Sequence, residues 1–91
     1  MVVARKFLIS GLVQGVGYRF FTQRAAAKHQ VVGYVQNLND GRVEALAEGN
    51  ENSVIAFRDD LLTGPHGSQV EQIEEIAVEL SREYSSFRIE R

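Results

Sequence analysis

No cysteine occurs among the 91 residues. That excludes disulfides, zinc–thiolate sites and cysteine nucleophiles together, and it fits a reducing compartment. Long apolar runs are missing as well. Nothing approaches the ~20 residues that a membrane-spanning helix requires. Phe7-Leu8-Ile9, which follows Arg5 and Lys6, is too short for the core of a signal peptide. Charge of one sign is also scarce, with a formal net charge of −2. Nonspecific nucleic-acid binding leans on clustered Lys and Arg, so it gains no support, and any anion site must be local. Histidine occurs only as His29 and His66. Both are expected at the surface, the first at a predicted helix end and the second in a loop after Pro65, and no Ser-His-Asp spacing can be read around either. No cluster of ligand-type residues argues for a metal. These absences lead us to expect a soluble, cytoplasmic monomer with no metal, cofactor, membrane or nucleic-acid partner.

What is present fits one small globular domain over residues 1–91. The composition is 44% hydrophobic and 24% charged, which argues against wholesale disorder. A chain of this length buries roughly 60–65% of its unfolded surface, enough for one modest core.

Arg5 to Val13 reads as a first strand, with Phe7 and Ile9 sharing a parity toward the core and Lys6 and Ser10 opposite. A helix is predicted from about Tyr18 to Lys28. Phe21 with Ala25, and Phe20 with Ala27, suggest its apolar face, leaving Thr22, Gln23, Arg24 and Lys28 for water. Val31 to Leu38 reads as a second strand. Asn39-Asp40-Gly41 is a strong hairpin signal, because Asp-Gly readily supplies positive φ. Arg42 to Glu48 follows as a third strand, in which Val43, Ala45 and Ala47 alternate with Arg42, Glu44 and Glu48. Leu46 interrupts the polar side.

A second helix can be capped by Asn50 or Asn52, with Glu51 in its first turn. Val54, Phe57 and Leu61 form its stripe. Gly64 provides the stop and Pro65 forbids continuation. Gln69 to Leu80 reads as a long extended segment. Ile73 is out of phase with Ile76, Val78 and Leu80, so a bulge is expected near Glu74-Glu75. The acidic residues Glu71, Glu74, Glu75 and Glu79 are expected to be solvated. Ser81 to Ser86 is a polar loop, and Phe87 and Ile89 mark a short last strand. The order β-α-β-β-α-β plus a terminal strand points to an α+β ferredoxin-like sandwich, with two helices on one face of an antiparallel sheet.

Between the first strand and first helix lies Gly11-Leu12-Val13-Gln14-Gly15-Val16-Gly17-Tyr18-Arg19. Glycines allow a tight curl in which backbone N–H groups converge. The helix start adds unpaired donors, and Arg19 adds a planar cation suited to two phosphate oxygens. No Lys-Ser or Lys-Thr follows, so this is not a Walker loop. Phe20 stands where a dinucleotide fingerprint needs its third glycine. The residues alone leave two readings, a phosphate or carboxylate site or a sharp turn whose glycines only relieve strain.

Val13-Gln14-Gly15-Val16-Gly17-Tyr18-Arg19 resembles the V-Q-G-V-G-[FY]-R signature of the acylphosphatase family. Gly33-Tyr34-Val35-Gln36-Asn37, followed by Asp40-Gly41-Arg42-Val43-Glu44, resembles that family's second signature. Gly64-Pro65 and Val70 match its later spacing, so the resemblance runs from about Lys6 to Ile89. Tyr34 stands where tryptophan is often found, and Lys28-His29-Gln30 departs from a common leucine-glycine.

The resemblance implies hydrolysis of an acyl phosphate to carboxylate and inorganic phosphate, with phosphate acting as product and inhibitor. It implies that Arg19 holds the phosphoryl group with the amides of Gln14, Gly15, Val16, Gly17 and Tyr18. It also implies that Asn37 orients the attacking water, while Tyr18 packs. A noncatalytic phosphate-binding domain would keep residues 14–19 but lack a productive Asn37, and both are present. Single-stranded RNA binding on such a sheet needs exposed aromatics on the central strands. Arg42 to Glu48 has none.

Overall fold

The computed structural model describes residues 1–91. Its elements are β1 (Val2–Leu12), α1 (Tyr18–His29), β2 (Val32–Asn37), β3 (Val43–Asn50), α2 (Glu51–Thr63), β4 (Gln69–Val78) and β5 (Phe87–Glu90). The five strands form one sheet in the order β4-β1-β3-β2-β5. Both helices pack on the same face, α1 against β2 and β5, and α2 against β1, β3 and β4. The architecture is the expected ferredoxin-like sandwich, extended by one strand.

The sheet is mixed, which corrects the antiparallel expectation. β1 pairs antiparallel with β3 and β4, and β2 antiparallel with β3, but β5 runs parallel to β2. The cause is the path of the chain. β4 lies at one edge and β5 at the other, so the connection must cross the whole sheet. It crosses the face opposite the helices. The Ser81 N–H and hydroxyl both donate to the Glu48 carboxylate, at 2.9 and 2.8 Å, and Tyr84 packs on Tyr34. Glu48 is only 3% exposed beneath this strap.

Alternation along the strands builds the core. Phe7, Ile9, Val35, Val43, Ala45 and Ala47 are completely buried toward the helices. The two alanines admit the helices close to the sheet. α2 contributes Val54, Phe57 and Leu61 as expected. Its N-cap position is Asn50, but the Asn50 side chain makes no capping bond. The Glu51 amide donates instead to the Met1 carbonyl, at 2.9 Å.

The stripe of α1 differs from expectation. Its buried residues are Tyr18, Thr22, Ala25 and Ala26, while Phe20 is 69% exposed. Thr22 was expected in water, yet it is buried because its hydroxyl is satisfied by the Tyr18 carbonyl at 2.8 Å. His29 was expected at the surface. Its side chain is 17% exposed and lies 2.8 Å from an Asp60 carboxylate oxygen, tying the end of α1 to α2. The solvated acidic run holds up, as Glu71, Glu74, Glu75 and Glu79 are all exposed.

The irregularity in β4 also lies elsewhere than expected. Ser10 pairs with Gln72 and Gly11 with Val70, so Glu71 is the extra residue, not Glu74 or Glu75. Beyond that bulge the strand is regular. Ile73 faces the core opposite Ile9, and Ile76 and Val78 lie on the other face opposite Lys6 and Ala4.

At Gly33 the backbone has φ 144°, and a Cβ would run into the Leu46 carbonyl oxygen. Gly67 also has positive φ, 89°, but a Cβ there meets open space. Gly67→Ala should therefore cost only the ~1–2 kcal/mol of a left-handed residue. Gly33→Ala should cost clearly more, because the β2–β3 ladder must shift. Urea denaturation of both variants measures the difference, and equal losses would remove the steric argument.

Candidate active site

The topology gathers three strand ends. β1 and β2 both run antiparallel to β3, and β5 runs parallel to β2. The C-terminal ends of β1, β2 and β5 therefore lie at one end of the sheet. The glycine loop leaves β1 there, Asn37 closes β2, and Glu90 ends β5 with Arg91 directly after it.

The loop is held from below by its side chains. Val13 and Tyr18 are 1% exposed, and Val16 packs against the same core. The Tyr18 hydroxyl donates to the Leu61 carbonyl at 2.7 Å. Burial pushes the Tyr18 phenol far above its ordinary value, so it packs as expected and is no proton donor near neutrality. Gly15 and Gly17 have φ of 75° and 79°, the left-handed conformation that turns the backbone outward without a side-chain penalty.

The backbone donors of this loop are largely unspent. Of the nine backbone hydrogen bonds outside the helix and strand ladders, only Phe21 N–H to Gly17 C=O touches it. The amides of Gln14, Gly15, Val16 and Gly17 donate to no backbone acceptor. α1 starts at a left-handed Gly17 with no side-chain cap and no acidic residue in its first turn. Such a helix start favours an anion. Arg19 stands in that first turn, where a cation opposes the helix dipole unless an anion is present. One of its guanidinium nitrogens donates to the Glu90 carbonyl at 3.3 Å, which anchors it to the end of β5.

Asn37 shares this place. Its side-chain oxygen is the one buried side-chain polar atom in the protein without a hydrogen-bond partner. Buried polar atoms of this kind are rare and call for an explanation. A recess of about 100 Å³ is lined by Val13, Gly15, Gly17, Tyr18, Arg19, Phe20 and Asn37. A wider cleft of about 660 Å³ adjoins it, lined by Arg19, Phe20, Asn37, Ile89 and Arg91. Two grooves along α1 have similar size, about 480 and 610 Å³. Neither holds an unpartnered buried polar atom.

The structure thus brings together Arg19, Asn37 and the backbone at Gly15, Gly17 and Tyr18. It turns the Gln14 side chain elsewhere. That amide donates to the carbonyls of Leu38 and Arg42, each at 2.9 Å. Leu38 and Arg42 are themselves paired across the hairpin, N–H to C=O, at 2.8 Å. Gln14 therefore clamps the glycine loop to the hairpin that begins one residue after Asn37. Sequence reasoning missed this clamp and the wider cleft. For the cleft a signal existed: with Tyr18 anchoring the buried stripe, Phe20 lies about 200° around the helix and must face out.

The sequence and the fold of the chain are both similar to those of known proteins. An acylphosphatase family model matches residues 5–89. An acylphosphatase of Actinobacillus succinogenes is 44% identical, over 99% of this chain and 100% of that one. The crystal structure of the Bacillus subtilis acylphosphatase superposes with a TM-score of 0.94 at 36% identity, covering both chains completely. An acylphosphatase structure from Coxiella burnetii gives a TM-score of 0.92 at 30% identity, over 98% of this chain and 93% of that one. The chain belongs to the acylphosphatase family, enzymes that hydrolyse acyl phosphates.

The clamp makes a prediction. Gln14→Glu keeps the shape, removes both donors and sets a carboxylate against two carbonyls. Losing hydrogen bonds in a part-buried site costs about 1–3 kcal/mol. Urea denaturation should show a loss of that size, with weaker inhibition by inorganic phosphate. A Gln14→Glu protein with parental stability and phosphate affinity would show that the clamp holds nothing.

Proposed function

We propose that the phosphoryl group of an acyl phosphate sits on the amides of residues 14–18, held by Arg19, and that Asn37 orients the water that attacks phosphorus. The water oxygen bonds to phosphorus as the bond from phosphorus to the carboxyl oxygen breaks. The carboxylate leaves with that electron pair, and the water proton passes to a phosphate oxygen or to solvent. The observation that carries this reading is the buried, unpartnered oxygen of Asn37, which lines the same recess as Arg19. A carboxamide both accepts and donates, so it can fix the direction of a water lone pair without being a strong base.

Weak base assistance suits this chemistry. A carboxylate is a good leaving group, and a loose phosphoryl-transfer transition state demands charge neutralisation and alignment above all. Arg19 and the uncapped amides supply preorganised donors for the equatorial oxygens. The proposed steps are carried by Arg19, the loop amides and Asn37, and none is routed through a metal. The product phosphate fits the same donors and should inhibit competitively.

Asn37→Ala should lower kcat by at least ~10²-fold, the scale for one preorganised polar group at a reaction centre. The inhibition constant for phosphate should stay close to parental, because the loop and Arg19 remain. Arg19→Lys should weaken phosphate inhibition and turnover together, since a point charge replaces a planar fork. Steady-state kinetics with acetyl phosphate in chelator measures all three proteins. Full turnover by Asn37→Ala, or dependence of the parent on added Mg²⁺, would contradict the mechanism.

A further inference from the structure

The two adjoining cavities divide the substrate between them. The small recess lies against the glycine loop, and the wider cleft opens beside it toward the end of β5. Both are lined by Arg19, Phe20 and Asn37. A molecule whose phosphoryl group occupies the recess has this cleft, with Phe20 at its wall, within reach of its acyl end. The cleft, at about 660 Å³, falls within the range of small-molecule sites.

Phe20 has no role in the core. It is 69% exposed, whereas Tyr18 and Thr22 on the same helix are buried. Its neighbour Phe21, about 100° further around the helix, contacts the Tyr18 ring with centroids 6.1 Å apart. Ile89, half-buried at the end of β5, adds a second apolar surface to the cleft. We propose that Phe20, with Ile89, forms the acyl-group subsite and favours acyl phosphates with an aromatic or bulky apolar acyl group. The ring position follows from the backbone. The residue after Arg19 is carried on the first turn of α1, so the phosphate-holding turn also presents the acyl-reading side chain.

The inference rests on the phosphoryl group sitting on the glycine loop. Arg91 also lines the cleft, so selection of an acyl group with an anionic tail is the competing outcome. The test compares kcat/KM for acetyl, benzoyl and succinyl phosphate in the parent, Phe20→Ala and Phe20→Leu. An aromatic contact of this kind gives about a threefold to tenfold preference. The benzoyl-to-acetyl ratio should fall by that factor in Phe20→Ala and partly recover in Phe20→Leu. Inhibition by inorganic phosphate should remain within about twofold of parental in both, because neither variant alters the loop. An unchanged benzoyl-to-acetyl ratio, or a fall confined to succinyl phosphate, overturns the subsite. Phosphate inhibition of Arg19→Ala, measured in parallel, separates the two levels. If it weakens while the Phe20 ratio stays fixed, the acyl subsite alone is wrong. If it does not weaken, the phosphate position itself is wrong.

Discussion

The Gln14 side chain donates to carbonyls 24 and 28 residues away, at Leu38 and Arg42. The geometry of the site depends on that clamp. The glycine loop and Asn37 come from separate strands, β1 and β2, with β3 between them in the sheet. Sheet pairing alone positions Asn37 against Val43, but it does not position a loop that leaves the sheet. Gln14 ties that loop to the β2–β3 hairpin. In-line attack requires alignment of the attacking and leaving oxygens, and errors near 1 Å are costly. In the proposed mechanism, a side chain that fixes the distance between the glycine loop and Asn37 meets that requirement without touching the substrate.

The loop itself carries stored cost. Four amides without backbone partners, a helix start without a cap, a cation in the first turn and a buried carboxamide oxygen without a partner occupy one place. The buried Asn37 oxygen costs about 1–3 kcal/mol and the Arg19 cation opposes the helix dipole, while the amides of the exposed Gly15 and Gly17 are left free to donate. An anion with a water beside it would relieve all four. The surrounding packing holds them in the absence of such relief. Val13 and Tyr18 anchor the loop in the core, the Tyr18 hydroxyl reaches α2, and Arg19 is braced by the Glu90 carbonyl. Preorganisation of this kind lowers the reorganisation needed at the moment of reaction.

Much of this could be read from the sequence, for physical reasons that differ from residue to residue. Gly15, Gly17 and Arg19 were legible because a glycine curl, a helix start and a planar cation are local features. The stripe Val54, Phe57 and Leu61 was legible because large apolar residues recur at i, i+3 and i+7 along α2, although Ile55 and Leu62 lie exposed outside it. α1 was misread for want of contrast. Its buried stripe is Tyr18, Thr22, Ala25 and Ala26, two of them small and one polar, so the phenylalanines drew the assignment instead. The backbone bond that satisfies Thr22 is invisible in a pattern of hydrophobicity. The direction of β5 was illegible because alternation marks a strand and not its partner's sense. The bulge was expected at Glu74-Glu75 and lies at Glu71, because phase is set by pairing with Ser10 and Gly11 on β1. Gln14 was expected to serve through its backbone, since the partners of its side chain lie beyond any local window. Asn37 was singled out by its resemblance to a family signature, and turn chemistry alone would have left it an ordinary hairpin residue.

The central claim is that water attacks phosphorus, not the acyl carbon. The isotope content of the products after a single turnover in ¹⁸O-enriched water tests it most directly. With enzyme in excess over acetyl or benzoyl phosphate, the account predicts one solvent oxygen in the inorganic phosphate and none in the carboxylate. Label in the carboxylate would mean that the acyl carbon is the electrophile. Arg19, the loop amides and Asn37 would then be arranged around the wrong atom.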